Sequence, residues 1–148
     1  MHESLHGIMH IRRCSCWAHV RRYFTDAIPK GKEYDYSLPA VQGVQFCSKL
    51  FDCERYSKAK NHTAEQRKQF RLEKEKPILE AFWNWLDQQR PTKGTRLAKA
   101  VNYAQNRKDT LMTYLEDGHC SLSNNLSENA IRPFTVGRNY VFNQVMCS

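Results

Sequence analysis

The sequence predicts a mainly α-helical chain, on three observations. Between Leu38 and Ser57 the residues Val41, Val44, Cys47, Leu50, Phe51 and Cys53 recur at helical spacing, which makes one buried stripe. Thr63 is followed three residues on by Gln66. In such a pair each side chain satisfies the other residue's free backbone donor at a helix start. Further on, Leu97, Ala98, Val101 and Ala104, then Leu111, Met112 and Leu115, mark another helical stretch that stops at Asp117-Gly118.

Taken in order, the chain opens with His2, His6 and His10, whose spacing of four would align three imidazoles on a helix in a segment of weak helix propensity. Ile8 to Cys16 shows partial period-2 patterning and is expected as a short strand, followed by a helix over Trp17 to Phe24. Ile28 to Pro39, with Pro29, Gly31 and Pro39, reads as a loop that begins an inserted region. After the helix of Leu38 to Ser57, the next should begin near Ala64 and run through Phe70 and a charged stretch to Pro77. There the missing N–H demands a kink or a new first turn, giving a long bent helix. Ile78, Phe82 and Leu86 form its apolar stripe, so Phe82, Trp83 and Trp85 are expected in the core rather than as a platform for stacking bases. Gln89 to Thr95 is a turn, and Gly118 is expected to end the last helix of the unit in the left-handed conformation. The middle of the chain is thus an antiparallel helical unit with short connections.

With 148 residues, 41% of them hydrophobic, the chain has the size of one domain and enough apolar surface for a core. Its net charge of +8 and pI near 9.3 make a polyanion, nucleic acid first, the partner to expect. The excess is spread along the chain, with a local cluster at Arg12, Arg13, Arg21 and Arg22 that no acid interrupts. A mean hydropathy of −0.73 and the lack of a long apolar run argue against membrane insertion. The amino terminus lacks the pattern of a signal peptide, so a reducing cytoplasm is expected, with the six cysteines as free thiols. Cys14, Cys16 and His19 do not complete a zinc-ligand spacing.

The most informative stretch is Ser121 to Phe142. Asn124 or Asn125 can cap a helix whose first turn carries Glu128, and beyond Glu128 there is no acid, while Arg132 and Arg138 follow on either side of Pro133 and Gly137. Read plainly, Glu128 is a capping carboxylate. With basic neighbours it also suits a metal site beside DNA.

Two blocks resemble the insertion-sequence-66 family of transposases, members of the DDE class with a ribonuclease-H-like fold. Cys16-Trp17-Ala18-His19, followed by Val20-Arg21-Arg22, is similar to the family's Cys-Trp-Ala-His block at the end of a core strand. Asn124-Asn125 through Glu128 to Ala130-Ile131-Arg132-Pro133 and Gly137-Arg138 resembles its last catalytic motif. The resemblance implies a partial ribonuclease-H-like core with a helical insertion and few short strands. It divides the chain into core segment (1–36), helical insertion (37–120) and Glu-bearing end (121–148).

The implied chemistry is Mg²⁺-dependent DNA cleavage and strand transfer, with three carboxylates holding two metal ions. Glu128 is the implied catalytic and metal-binding residue. Arg21, Arg22, Asn124, Asn125, Arg132 and Arg138 are the implied DNA contacts, and Cys16 and His19 have a structural role. The family's two Asp residues lie upstream of the Cys-Trp-Ala-His block, and only fifteen residues precede Cys16. The chain is therefore expected to be a transposase fragment that is inactive alone. Alternatives are a small basic helical protein that binds nucleic acid without chemistry, or a partner of a full-length transposase.

Overall fold

The computed structural model describes residues 15–123, and these are helical with no strand among them. Helix α1 spans Trp17–Asp26 and α2 spans Pro39–Ala59. Helix α3, Ala64–Phe70, runs through a π-helical segment, Arg71–Glu75, into α4, Lys76–Asp87. Helix α5 is Arg96–Asn106 and α6 is Lys108–Met112, followed by a 3₁₀ turn at Thr113–Glu116.

The helix starts follow from local chemistry. Thr63 Oγ1 accepts from Gln66 N–H at 3.2 Å while Thr63 N–H donates to Gln66 Oε1 at 2.8 Å, the reciprocal pair expected at this start. Thr95 caps α5 by accepting from Ala98 N–H at 3.1 Å. Pro39 and Pro77 stand in first turns, where a missing N–H is not needed.

Helix α1 packs against both α2 and α5, and α2 against α4. Trp17, Val20 and Phe24 are fully buried in one core with Cys47 and Leu50 of α2, Leu79, Phe82 and Leu86 of α4, and Ala100 and Ala104 of α5. Phe82 is its hub. Its ring lies 5.4 Å from Trp17, 4.9 Å from Trp83 and 5.6 Å from Phe46, mostly edge-on, so these aromatic faces are spent on packing as expected. All three indoles are satisfied, by the Leu111 carbonyl, Met112 Sδ and Gln42 Oε1. Close approach of α2 to α1 requires Gly43, where a Cβ would fall 2.5 Å from the Phe24 ring.

Three expectations need correction. The short strands of a ribonuclease-H-like core are not found among residues 15–123. Of the strand expected over Ile8 to Cys16, only Ser15 and Cys16 are described, and they form none. At Pro77 the second of the two expected outcomes holds, a new first turn, and the preceding Arg71–Glu75 is a π-helical segment in which Arg71 and Glu75 are buried. The helix expected from Leu97 to Leu115 is broken at Arg107 (φ −117°, ψ 20°) and ends in the 3₁₀ turn. Gly118 is not left-handed: among the described residues the positive φ values belong to Gly31, Gly94 and Asn61. Glycine is needed at 118 because a Cβ there would meet the Ala64 carbonyl oxygen at 1.8 Å. The boundary expected at residue 36 falls in the loop between α1 and α2.

Candidate functional site

The Cys-Trp-Ala-His block forms the start of α1, and it meets the far end of the helical unit. Ser15 N–H donates to the Thr110 carbonyl at 3.1 Å, and its hydroxyl bonds the Thr110 hydroxyl at 2.5 Å. Trp17 N–H donates to the Leu122 carbonyl at 3.2 Å, and its indole N–H to the Leu111 carbonyl at 2.9 Å. The Cys16 thiol donates to the Ser123 carbonyl. The Thr110 and Leu111 carbonyls belong to the last turn of α6, which ends at Met112, and the Thr110 carbonyl accepts from the Thr113 N–H as well. About a hundred residues of helix therefore leave from and return to one place, and Asn124 follows directly.

A buried polar network holds the returning segment. Arg71 is 1% exposed and grips Glu54 of α2 with two parallel bonds of 2.9 and 2.8 Å. Its other donors reach the carbonyls of Tyr114 (2.9 Å), Asp117 (3.3 Å) and Cys120 (2.8 Å). Tyr114 donates its hydroxyl to Glu75 Oε1 at 2.7 Å, and its ring lies under the Arg71 guanidinium. Burial, reinforced by the neighbouring Glu54, pushes the Glu75 carboxyl up to about 9, so Glu75 is neutral at pH 7, and its Oε2 is buried with no hydrogen-bond partner. Glu54 goes the other way: against its own burial, the Arg71 fork holds its carboxyl below the usual range. Arg67 adds a bond of 2.7 Å to the Gly118 carbonyl. One guanidinium thus fixes three carbonyls of the strap that leads back to Leu122.

Other chemistry-bearing groups are structural. Ser57 and His62 bond at 2.8 Å, but Ser57 is fully buried and the pair closes the turn between α2 and α3. Burial pushes the Cys47 thiol up to about 12 and raises Cys53 as well, so neither is a thiolate at neutral pH. Among the described residues no three His, Cys, Asp or Glu side chains gather as a metal site. No helix among them is long and apolar enough to cross a membrane.

Of the residues singled out in the sequence, Cys16 is buried at the α1 cap and His19 is exposed on α1. Arg21 and Arg22 are exposed, with the Arg21 guanidinium 5.2 Å above the Phe51 ring of α2. Both border a shallow depression with Ala18, Thr25 and Asp26. Arg12, Arg13, Asn124, Asn125, Glu128, Arg132 and Arg138 lie outside the described residues, as do Cys14 and Cys147. The described cysteines Cys16, Cys47, Cys53 and Cys120 form no disulfide with one another. The sequence reading passed over Arg71 and Glu75 as part of a charged stretch. Projecting the buried positions Leu86, Phe82 and Leu79 backward at helical spacing lands on both.

A model of the transposase IS66 family matches residues 3–144. The chain is 31% identical over 130 residues to the uncharacterized protein y4qI of Sinorhizobium fredii, covering 86% of this chain and 23% of that protein. It is 29% identical over 138 residues to the uncharacterized protein y4hP of the same organism, covering 86% and 25%. The chain therefore spans about a quarter of the length of these curated relatives. No solved structure matches it significantly. With the family model running through both motif blocks and the helical unit that joins them, the chain belongs to the IS66 family of transposases.

Proposed function

We propose that this chain supplies the helical insertion and the last carboxylate of a DDE-type transposase catalytic region acting in DNA cleavage and strand transfer. The observation that carries this reading is the junction. Trp17 and Cys16 of the first block bond Leu122 and Ser123, so the chain enters the Asn124-to-Glu128 motif from beside that block. An insertion between two parts of one catalytic centre must return to its point of departure in this way. Family membership and the charge of +8 support DNA as the substrate. In this reading Arg21, Arg22, Asn124, Asn125, Arg132 and Arg138 contact the phosphate backbone, Cys16 and His19 belong to the framework, and Glu128 is a metal ligand. Mg²⁺ in such a centre activates the attacking oxygen and stabilises the leaving one. Glu128 alone does not fix two ions, and the described residues add no cluster that would. The chain by itself is therefore proposed to bind DNA without cutting it, working where two Asp carboxylates are supplied alongside.

The test is a chimera in which residues 15–142 replace the matching region of an active family member, read by excision of a marked element. Excision that is lost in Glu128→Gln is the expected result. Excision indifferent to Glu128→Gln would remove the catalytic role. The chain alone, incubated with supercoiled plasmid and Mg²⁺ or Mn²⁺, should leave it intact, and nicking that disappears in Glu128→Gln would show the centre to be complete.

A further inference from the structure

We propose that the face formed by α5 and the adjoining stripe of α1 docks the phosphate backbone of duplex DNA, an inference that rests on the DNA reading above. Between Asp87 and Asp109 lie 21 residues without one acid and with six Lys or Arg. Helix α5 arranges part of this charge along one face, with Arg96, Lys99 and Tyr103 at i, i+3 and i+7, and Arg107, just past its end, extends the row over the Tyr103 ring. That row is about 16 Å long, enough to run beside about five phosphates of one strand.

Helix α1 packs alongside and contributes His19, Arg22, Tyr23 and Asp26 at i, i+3, i+4 and i+7. The Tyr23 and Tyr103 rings meet at 4.4 Å across the seam. Lys99 Nζ stands 5.6 Å from the Tyr23 ring, and the Arg107 guanidinium 4.6 Å from the Tyr103 ring. Arg96 Nη1 donates to the Asp26 carbonyl at 3.3 Å, which steers that guanidinium toward the seam. Asp26 is the one acid on the two stripes. Lys99 and Arg107 lie against rings rather than carboxylates, which leaves their charge available to an anion.

The same geometry selects duplex over single strand. Binding of unstacked bases needs open aromatic faces. Here the two tyrosines face each other and carry cations, leaving charge but no stacking platform. The surface is suited to phosphates held at the regular spacing of a double helix, and it carries no base-reading element.

The test is fluorescence-anisotropy titration of the full chain with a labelled 25-base-pair duplex and with a single strand of equal length, over a range of KCl concentrations. The variants are Arg96→Gln with Lys99→Gln, the charge-keeping pair Arg96→Lys with Lys99→Arg, and the charge-matched control Lys30→Gln with Lys32→Gln in the exposed loop before α2. All these positions are exposed, and circular dichroism checks that each variant stays folded. Losing two phosphate contacts should weaken duplex binding about tenfold or more at 0.1 M salt and flatten the log–log salt slope by about 2. The control should change binding far less, and the charge-keeping pair should restore it. If the Gln pair and the control weaken binding equally, this face is not the contact surface, though the chain remains a DNA binder. Tighter binding of the single strand than of the duplex would overturn the choice of duplex. No binding of either at low salt would overturn the DNA reading itself.

Discussion

Arg71 is the residue on which most of the returning segment depends. It neutralises a carboxylate from α2 and satisfies three carbonyls between Tyr114 and Cys120, while its own side chain is buried. Arg71→Ala should destabilise the fold by about 3–5 kcal/mol, since it strands the Glu54 charge as well as the carbonyls. Urea denaturation checks this, and a loss below about 1 kcal/mol would mean the network is solvated. Glu75 gives the network a pH signature. A buried acid raised from 4.5 to about 9 binds its proton more tightly folded than unfolded, so its contribution is complete below 4.5, falls as pH rises, and is gone above about 9. Glu54, held low, acts in the other window: its contribution is present above 4.5 and is lost on acidification. The titratable and charged groups facing Glu75 are Glu54, Arg71, Tyr114 and Cys53. Glu75→Gln keeps an acceptor for Tyr114, so its denaturation midpoint should lose the decline between pH 5 and 9 that the native chain shows. An unchanged decline would place the responsible group elsewhere. Charge alone did not mark these residues as buried in the sequence, because an Arg and a Glu four apart are usually a solvated pair. Both lie on the backward continuation of the buried stripe of Leu79, Phe82 and Leu86.

Among the elements, helix starts were the most legible in the sequence, because caps are local chemistry. Thr63 and Gln66 bond as their spacing demands, and Thr63→Ala should cost about 1 kcal/mol, measurable as a lower thermal midpoint. Helix ends and breaks were less legible, because they are decided by distant partners. The carbonyls of Thr110 and Leu111 are claimed by Ser15 and Trp17, nearly a hundred residues away, and no pattern within 97–115 announces that. Gly118 is another such case: aspartate followed by glycine reads as a left-handed stop, yet the glycine serves contact with the start of α3. Gly118→Ala should therefore destabilise by about 1–3 kcal/mol, as overpacking does, and Gly94→Ala should not match it through contact, since nothing lies within 4 Å of a Cβ there. Equal effects at the two glycines would point to backbone freedom as the common cause.

At the scale of the whole molecule, the helical character and the burial of the Trp-rich stretch could be read from periodicity, and the family from two short blocks. The closure could not, since it is made by backbone groups, which every residue carries alike. Nor did the charge pattern distinguish α5: its cations emerge as a face only when α1 is set beside it. Closure is what joins this fold to the proposed place in a DDE-type centre. Trp17 is the first residue of α1, and the first amides of a helix have no partner within it. Slow exchange at the Trp17 amide must therefore come from the Leu122 carbonyl, as that at Ser15 must come from Thr110. Residue-resolved amide hydrogen exchange by NMR tests this on the full chain. The Ser15 and Trp17 amides should exchange as slowly as interior amides of α1 such as that of Phe24. Exchange at the unprotected rate at these two amides, with the interior of α1 still protected, would contradict the closure and the proposed place of this chain with it.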